Sequence, residues 1–136
     1  MNEPGYITAV NKRLHPWVYV WKIADRFTSG IPDCWYSVKG GTPPFIEFKY
    51  LKELPKRDNT LCKAPLSDIQ LEWHLARQRE GVPVWTCLGI NTPTGNRGVL
   101  FSDPLIALQG ISAYDFDQQA MNYERLARRI ELIASR

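Results

Sequence analysis

The sequence is poor in cysteine and in long apolar runs, and both shortages restrict what the chain can be. Its three cysteines, Cys34, Cys62 and Cys87, are odd in number and show no CxxC spacing. This argues against a disulfide framework or a zinc knuckle and fits a reducing compartment. No run approaches the ~20 apolar residues of a membrane span, and the first residues lack the apolar core of a signal peptide. We therefore expect a soluble, cytoplasmic protein.

The sequence also contains few histidines and carries a small net charge. The formal net charge is only +3, so composition alone does not predict a nucleic-acid partner. Neither histidine pairs with a serine or cysteine in a recognisable nucleophile motif. His74 has no second histidine or cysteine nearby, which predicts a surface or packing residue rather than a metal ligand. The pair Gly40-Gly41 lies in a turn and not before a helix, which excludes a phosphate-binding loop.

Length and apolar periodicity predict one α/β domain over residues 1–136. A chain near this length buries roughly two thirds of its unfolded surface, so it needs no covalent staples. The predicted helices cover residues 6–14, 68–80 and 117–134, with a short helical turn from 103. The predicted strands cover 17–23, 34–37, 45–50, 82–90 and 98–101, with a long loop over 51–65, a polar turn over 91–97 and a connector over 112–117. We expect a mixed sheet in a core of about 6–101, followed by a helical extension of about 103–136.

Two neighbouring strands carry the candidate chemistry. Glu47 and Lys49 are two residues apart in an apolar run, so on a strand they share one face. Asp33 stands at the head of the preceding strand, and the Gly/Pro-rich turn between them makes the pair a hairpin. Two carboxylates that converge with one ammonium predict a magnesium site with a lysine beside it. An exposed ion pair between Glu47 and Lys49 is the structural alternative.

The pattern Pro32-Asp33, then Glu47-Phe48-Lys49, resembles the PD-(D/E)xK nuclease superfamily. The later order of Leu66-Ser67, Gln70, Trp73 and the run 81–85 is similar to the VRR-NUC and Holliday-junction resolvase branch, which includes small phage-encoded nucleases. The likeness spans about residues 17–89. It implies a restriction-endonuclease-like αβββαβ core with an added C-terminal helix. It also implies Mg²⁺-dependent cleavage of DNA with Mn²⁺ able to substitute, a preference for branched DNA, a homodimer, and the host cytoplasm if the chain is phage-encoded.

The same resemblance implies roles for individual residues. Asp33 and Glu47 would hold the metal together with the backbone carbonyl of Phe48, and Lys49 would orient the attacking water or balance developing charge. Gln70 would be a catalytic residue, because related nucleases carry a glutamine on the helix after the ExK strand.

Two of these helix positions have competing interpretations. A glutamine three residues after the helix cap Ser67 can equally bond back to the backbone as a capping box, so Gln70 has a structural alternative. Superfamily members often carry a glutamate on the first helix. Asn11 is the nearest candidate for that position, and Glu3 is placed too early by the predicted helix bounds.

Basic residues around the candidate site predict contacts with phosphate. Lys22 shares a strand face with Val18 and Val20, so it either reaches toward the carboxylates or extends into solvent. The loop after Lys49 suits a phosphate clamp, although a solvated surface is the simpler reading of such a cluster. The predicted nucleic-acid contacts are Lys22, Lys52, Lys56, Arg57 and Lys63.

Three functions stay open at the level of sequence. The first is a structure-selective DNA endonuclease, for which a nonspecific or nicking nuclease would use the same site. The second is a catalytically inactive nucleic-acid-binding module of the same fold, which Asn11 in place of a helix glutamate favours. The third is an interaction protein whose C-terminal helix binds a partner through a face carrying Arg125, Arg128, Arg129 and Arg136.

Overall fold

The computed structural model describes residues 1–25 and 27–136; Arg26, which the sequence places in a loop, lies outside the described residues. The helices are α1 (Glu3–Asn11), α2 (Asp68–Arg79), α3 (Pro104–Gln109), α4 (Ala113–Gln119) and α5 (Tyr123–Ala134). The strands are β1 (Tyr19–Lys22), β2 (Cys34–Ser37), β3 (Phe45–Leu51), β4 (Leu61–Cys62), β5 (Val84–Thr92), β6 (Gly95–Phe101) and β7 (Ile111–Ser112). None of the helices in these two ranges is long and apolar enough to span a bilayer.

The main sheet is mixed, and its strand order is β1-β2-β3-β5-β6. Strands β1, β2 and β3 form an antiparallel meander, whereas β3 and β5 run parallel over seven residue pairs. Helix α2 makes the crossover that a parallel connection requires. The predicted mixed α/β fold is therefore confirmed, and the order α, β, β, β, α, β holds for α1, α2 and the main sheet, with β4 in a separate two-stranded sheet.

Alternation along the strands divides the side chains between two helical layers. Tyr36, Ile46 and Phe48 face α1 and α5 and form one core cluster. Leu88 and Ile90 face the opposite side, where α3 and α4 contribute to a second cluster. The first cluster is closely packed: a Cβ on Gly89 would lie 2.4 Å from the Tyr6 ring. Both faces of the central strands are thus buried, and polar groups found among them require partners.

The first helix begins and ends three residues earlier than periodicity predicts. The Asn2 side chain accepts a hydrogen bond from the Gly5 N–H, and Pro4 lies in the first turn, which together start α1 at Glu3. The shift places Glu3 in the first turn of the helix, at its positive end.

The segment 51–65 is not the free loop that the sequence predicts. Its strand β4 pairs with β7, and Cys62 and Ala64 are buried in the second core cluster. The turn between β5 and β6 is also shorter than the predicted turn over 91–97, since β5 continues to Thr92 and β6 begins at Gly95. Gly95 has a φ of +114°, which suits glycine at a short turn.

The C-terminal segment contains two helices where the sequence predicts a connector and one helix. The side chains of Ser112 and Asn122 cap α4 and α5 separately, and Met121 between them pairs through its backbone with Gly98 of β6. Helix α5 then packs on α1, so Leu126 and Ile130 belong to the first core cluster, which we call the main core.

Candidate metal centre and active site

Three carboxylates from three separate elements meet at one point. Glu3 in the first turn of α1, Asp33 just before β2 and Glu47 in β3 each place an oxygen within 4.8 Å of the others. Burial is the largest cause that raises the pKa of all three above their ordinary values. The charge of Asp33 raises the pKa of both Glu3 and Glu47 further. A divalent cation would relieve this repulsion.

Asp33 is held in place by the backbone of the neighbouring strand. Strand β2 begins at Cys34, opposite Ile46, so its pairing with β3 does not reach the backbone N–H of Phe48. The Oδ2 atom of Asp33 accepts that N–H at 2.8 Å. The Phe48 N–H, which β2 leaves unpaired, therefore fixes the position of the Asp33 carboxylate.

Glu47 is the most enclosed of the three carboxylates, with only 2% of its surface exposed. Its Oε2 atom accepts a hydrogen bond from Gln70 Nε2 at 3.1 Å and lies 3.3 Å from Lys49 Nζ. Burial first, and then the Asp33 charge, raises the pKa of Glu47 to about 8.

The other Glu47 oxygen tests whether a metal fits. Among the described residues, the buried Oε1 atom has no hydrogen-bond partner. A buried carboxylate oxygen without a partner is costly, and a cation coordinated by Glu3, Asp33 and Glu47 would satisfy it. The donors are all hard oxygen atoms, the type that Mg²⁺ and Mn²⁺ prefer. The residues at this point therefore fit a divalent metal ion.

Gln70 forms the capping box that the sequence left open and also contacts the carboxylate cluster. Its Oε1 atom accepts the Ser67 backbone N–H at 3.0 Å, and the Ser67 hydroxyl accepts the Gln70 backbone N–H, which completes a capping box. Its Nε2 atom meanwhile donates to Glu47. The start of α2 is thereby tied to the carboxylate cluster through one side chain.

Lys49 and His74 are two further ionisable residues whose side chains are largely or fully covered. The Lys49 side chain is only 15% exposed, so its pair with Glu47 is not the exposed ion pair considered above. His74 is buried in α2, which favours its predicted packing role over a surface position. Burial first, and then the Lys49 charge, lowers the pKa of His74 to about 4, so the imidazole is neutral at physiological pH.

Glu3, and not Asn11, brings the first helix to the site. The Asn11 Oδ1 atom accepts a hydrogen bond from the Tyr36 hydroxyl at 2.7 Å, a contact inside the core. The sequence signal that locates Glu3 is the run Asn2-Glu3-Pro4: a helix cap, an acidic residue suited to the first turn, and a proline that the first turn tolerates.

The predicted basic contacts lie on two segments, one residue at the end of β1 and four after β3. Lys22 is exposed at the end of β1, and its charge, with that of Lys49, partly opposes the burial that raises the pKa of Asp33. The other four are exposed on the segment after β3, and none forms an ion pair with a carboxylate of residues 1–25 or 27–136: Lys52, Lys56, Arg57 and Lys63. Lys52 and Lys56 line a groove of about 370 Å³.

The chain resembles known proteins in its fold rather than in its sequence. No protein-family model matches the chain, and no curated protein sequence matches it. Among solved structures, the chain is similar to Hjc of Archaeoglobus fulgidus, a Holliday junction resolvase from an archaeal hyperthermophile. The two share 14% sequence identity with a TM-score of 0.45, over 93% of this chain and 96% of that chain. A likeness of this degree assigns neither activity nor substrate.

Proposed function

We propose that this chain is a Mg²⁺-dependent DNA endonuclease that hydrolyses phosphodiester bonds. The observation that carries the proposal is the meeting of Glu3, Asp33 and Glu47 beside the Lys49 amine, with one buried carboxylate oxygen left unpartnered. Phosphodiester hydrolysis is among the slower uncatalysed reactions and needs both an activated water and relief of negative charge. Three carboxylates that hold a metal next to an amine answer both needs.

The metal would be held by the three carboxylates, with the backbone carbonyl of Phe48 as a further oxygen donor. When bound, Mg²⁺ or Mn²⁺ supplies an acidified water and neutralises charge on the phosphate.

The chain's own residues orient these groups. The Phe48 N–H holds Asp33 in a single orientation, and Gln70 and Lys49 both engage Oε2 of Glu47, which leaves Oε1 free to coordinate. Lys49 orients the attacking water or balances the charge that develops during attack, a role worth roughly 10²- to 10⁴-fold if it includes proton transfer. Gln70 acts through Glu47, as a positioning residue of the site.

Substrate selection and assembly are proposed from the sequence resemblance. That resemblance, to VRR-NUC and Holliday-junction resolvase proteins and to their small phage-encoded members, favours branched DNA and a homodimer that acts on two strands. Lys22 and the exposed residues Lys52, Lys56, Arg57 and Lys63 supply the positive charge that a phosphate backbone requires. A nonspecific or nicking nuclease would use the same catalytic groups.

The test is cleavage of four-way junction, duplex and single-stranded DNA with Mg²⁺, with Mn²⁺ and with EDTA. We expect cleavage only with metal, and its loss in Glu3→Gln and in Asp33→Asn. Glu80→Gln is the matched control, because Glu80 is an exposed carboxylate whose ion-pair partner within residues 1–25 and 27–136 is Arg77. If Glu3→Gln or Asp33→Asn cut DNA as fast as the parent, the proposed site would be wrong.

An inactive DNA-binding module of the same fold is the competing proposal. Its support in the sequence was Asn11, and that support is removed because Glu3 supplies a carboxylate from the same helix. Titration calorimetry with Mg²⁺ separates the two proposals, since an inactive module would bind no metal at the carboxylates.

A further inference from the structure

Aromatic side chains continue the sheet face that carries Glu47 and Lys49. Phe45 precedes Glu47 by two residues on β3 and therefore lies on the same face. Trp35 on β2 pairs with Phe45, and Trp21 on β1 pairs with Trp35. Tyr19 lies two residues from Trp21 on the same side of β1. We call Tyr19, Trp21, Trp35 and Phe45 the aromatic face.

The outer part of the aromatic face is open to solvent. Tyr19 is 62% exposed and Trp21 is 46% exposed on β1, which is one of the two edge strands of the main sheet. Trp35 and Phe45, toward the inner end, are half-buried, and Phe45 packs edge to face against Trp73 of α2 at 5.3 Å. Contiguous exposed aromatic surface of this kind usually marks a binding site.

The geometry of the rings leaves flat surfaces available. Trp35 meets both Tyr19 and Trp21 with ring centroids 6.3 Å apart and planes at 77° and 78°. Edge-to-face contacts of this type occupy the face of one ring and only the edge of the other. The cluster is therefore held in place by its own contacts and still offers ring faces to a flat ligand.

The position of the aromatic face indicates what that ligand is. Neighbouring strands lie about 5 Å apart and alternate residues about 7 Å apart, so the rings follow Glu47 at roughly the spacing of successive nucleotides. Lys49, two residues beyond Glu47 on the same face of β3, adds a positive charge, whereas Lys22 follows Trp21 at the end of β1 and alternates to the opposite face. Aromatic rings beside positive charge are the combination that binds single-stranded nucleic acid.

We propose that the aromatic face binds unpaired nucleotides that adjoin the scissile phosphate, by stacking their bases on Tyr19, Trp21 and Trp35. The placement of the bound DNA strand along this face rests on the proposed function, because the carboxylates define where the scissile phosphate lies. Bases inside a duplex are stacked on each other and present no free face, so the surface selects DNA that is single-stranded beside the cleavage point.

Binding without metal tests the proposal separately from cleavage. The probes are a short fluorescein-labelled oligothymidylate, a duplex, and the same duplex with a single-stranded extension, each titrated in EDTA and followed by fluorescence anisotropy. We expect Tyr19→Thr and Trp21→Thr each to weaken binding of the oligothymidylate about tenfold and to leave duplex affinity unchanged. Threonine keeps the β propensity of the edge strand, so both variants should fold.

Trp17→Thr is the matched control. Trp17 is 57% exposed but stacks on His15, which bonds to Glu131 of α5 on the opposite side of the sheet. We expect this variant to bind all three probes as the parent does. Unchanged single-strand affinity in the Tyr19 and Trp21 variants, or equal losses for the duplex and for Trp17→Thr, would overturn the proposal.

Two further measurements separate this proposal from its alternatives. Sedimentation of the Trp21→Thr variant tests whether the face joins two copies of the chain; a change of mass with unchanged DNA binding would overturn the stacking proposal. Cleavage assays of Asp33→Asn test the proposed function alone. Loss of cleavage with intact single-strand binding in that variant supports both proposals. If the parent cleaves DNA but the aromatic variants bind and cleave normally, only the stacking proposal fails.

Discussion

Replacing Glu47 by glutamine should make the metal-free protein less sensitive to pH. Glutamine has nearly the same shape and keeps an oxygen for Lys49 and Gln70, but it cannot ionise. In the parent, burial and the Asp33 charge raise the Glu47 pKa to about 8 from an ordinary value of 4.5. The folded protein therefore holds a proton that the unfolded chain releases over this interval.

The sign of the effect follows from that difference in bound protons. The stability supplied by the Glu47 proton is complete below about pH 4.5 and is lost as pH rises to about 8. One proton changes the free energy of unfolding by at most about 1.4 kcal/mol per pH unit. Glu3 and Asp33, whose pKa values are also raised, add slope in the same direction. Glu47→Gln removes only the part of this pH dependence that Glu47 contributes.

Thermal unfolding followed by circular dichroism measures this effect. In EDTA, we expect the parent's Tm to fall between about pH 5 and pH 8, with each kcal/mol worth roughly 3–6 °C for a domain of this size. The Glu47→Gln variant should show a clearly shallower fall. Mg²⁺ should raise the parent's Tm at pH 8 and much less at pH 5, where protons compete for the carboxylates, and it should hardly change the variant.

Two results would refute this reasoning. The first is a metal-free parent whose stability rises over the same pH range, because its carboxylates would then be more acidic when folded. The second is a Glu47→Gln variant with the parent's slope and the parent's response to Mg²⁺. Glu80→Gln, which removes an exposed carboxylate, serves as the control and should match the parent in both respects.

Lys49→Met should lower cleavage by roughly 10²- to 10⁴-fold. It should also lower the free energy of unfolding at pH 8 by about 1–3 kcal/mol, since the buried Glu47 carboxyl loses a polar partner. Urea unfolding measures this, and unchanged stability would indicate a pair of little energetic consequence. Ser67→Ala should cost about 0.5–2 kcal/mol of stability but leave cleavage intact, because it removes the helix cap alone. Gln70→Ala should lose stability and also reduce cleavage, since it removes both the cap and the bond to Glu47; cleavage equal to that of Ser67→Ala would leave Gln70 a purely structural role.

Local patterns were enough to predict the hairpin that brings Asp33 and Glu47 together. The alternation of β3, the Gly/Pro turn and the Ser67 cap of α2 all depend on residues close in sequence. The small sheet of β4 and β7 was missed because each strand has only two residues, too few to show a period. The break before α5 was missed because apolar spacing continues across it, and only the side-chain cap and the contact of Met121 with β6 reveal it.

Glu3 illustrates the limit of sequence reasoning at the site itself. It precedes Asp33 by thirty residues and Glu47 by forty-four, and no local pattern links the three positions. Helix α1 reaches the carboxylates because Tyr6, Ile7 and Val10 pack into the main core, which fixes where the start of the helix lies. Burying that apolar face is what places the third carboxylate.

Short-range chemistry thus established which side chains share a strand face and where helices are capped, since both depend on backbone geometry over a few residues. Long-range packing established the enclosure of Glu47, the neutral state of His74 and the open aromatic face beside the carboxylates. Desolvation and charge proximity depend on every element that surrounds a group, and a linear pattern does not contain that information.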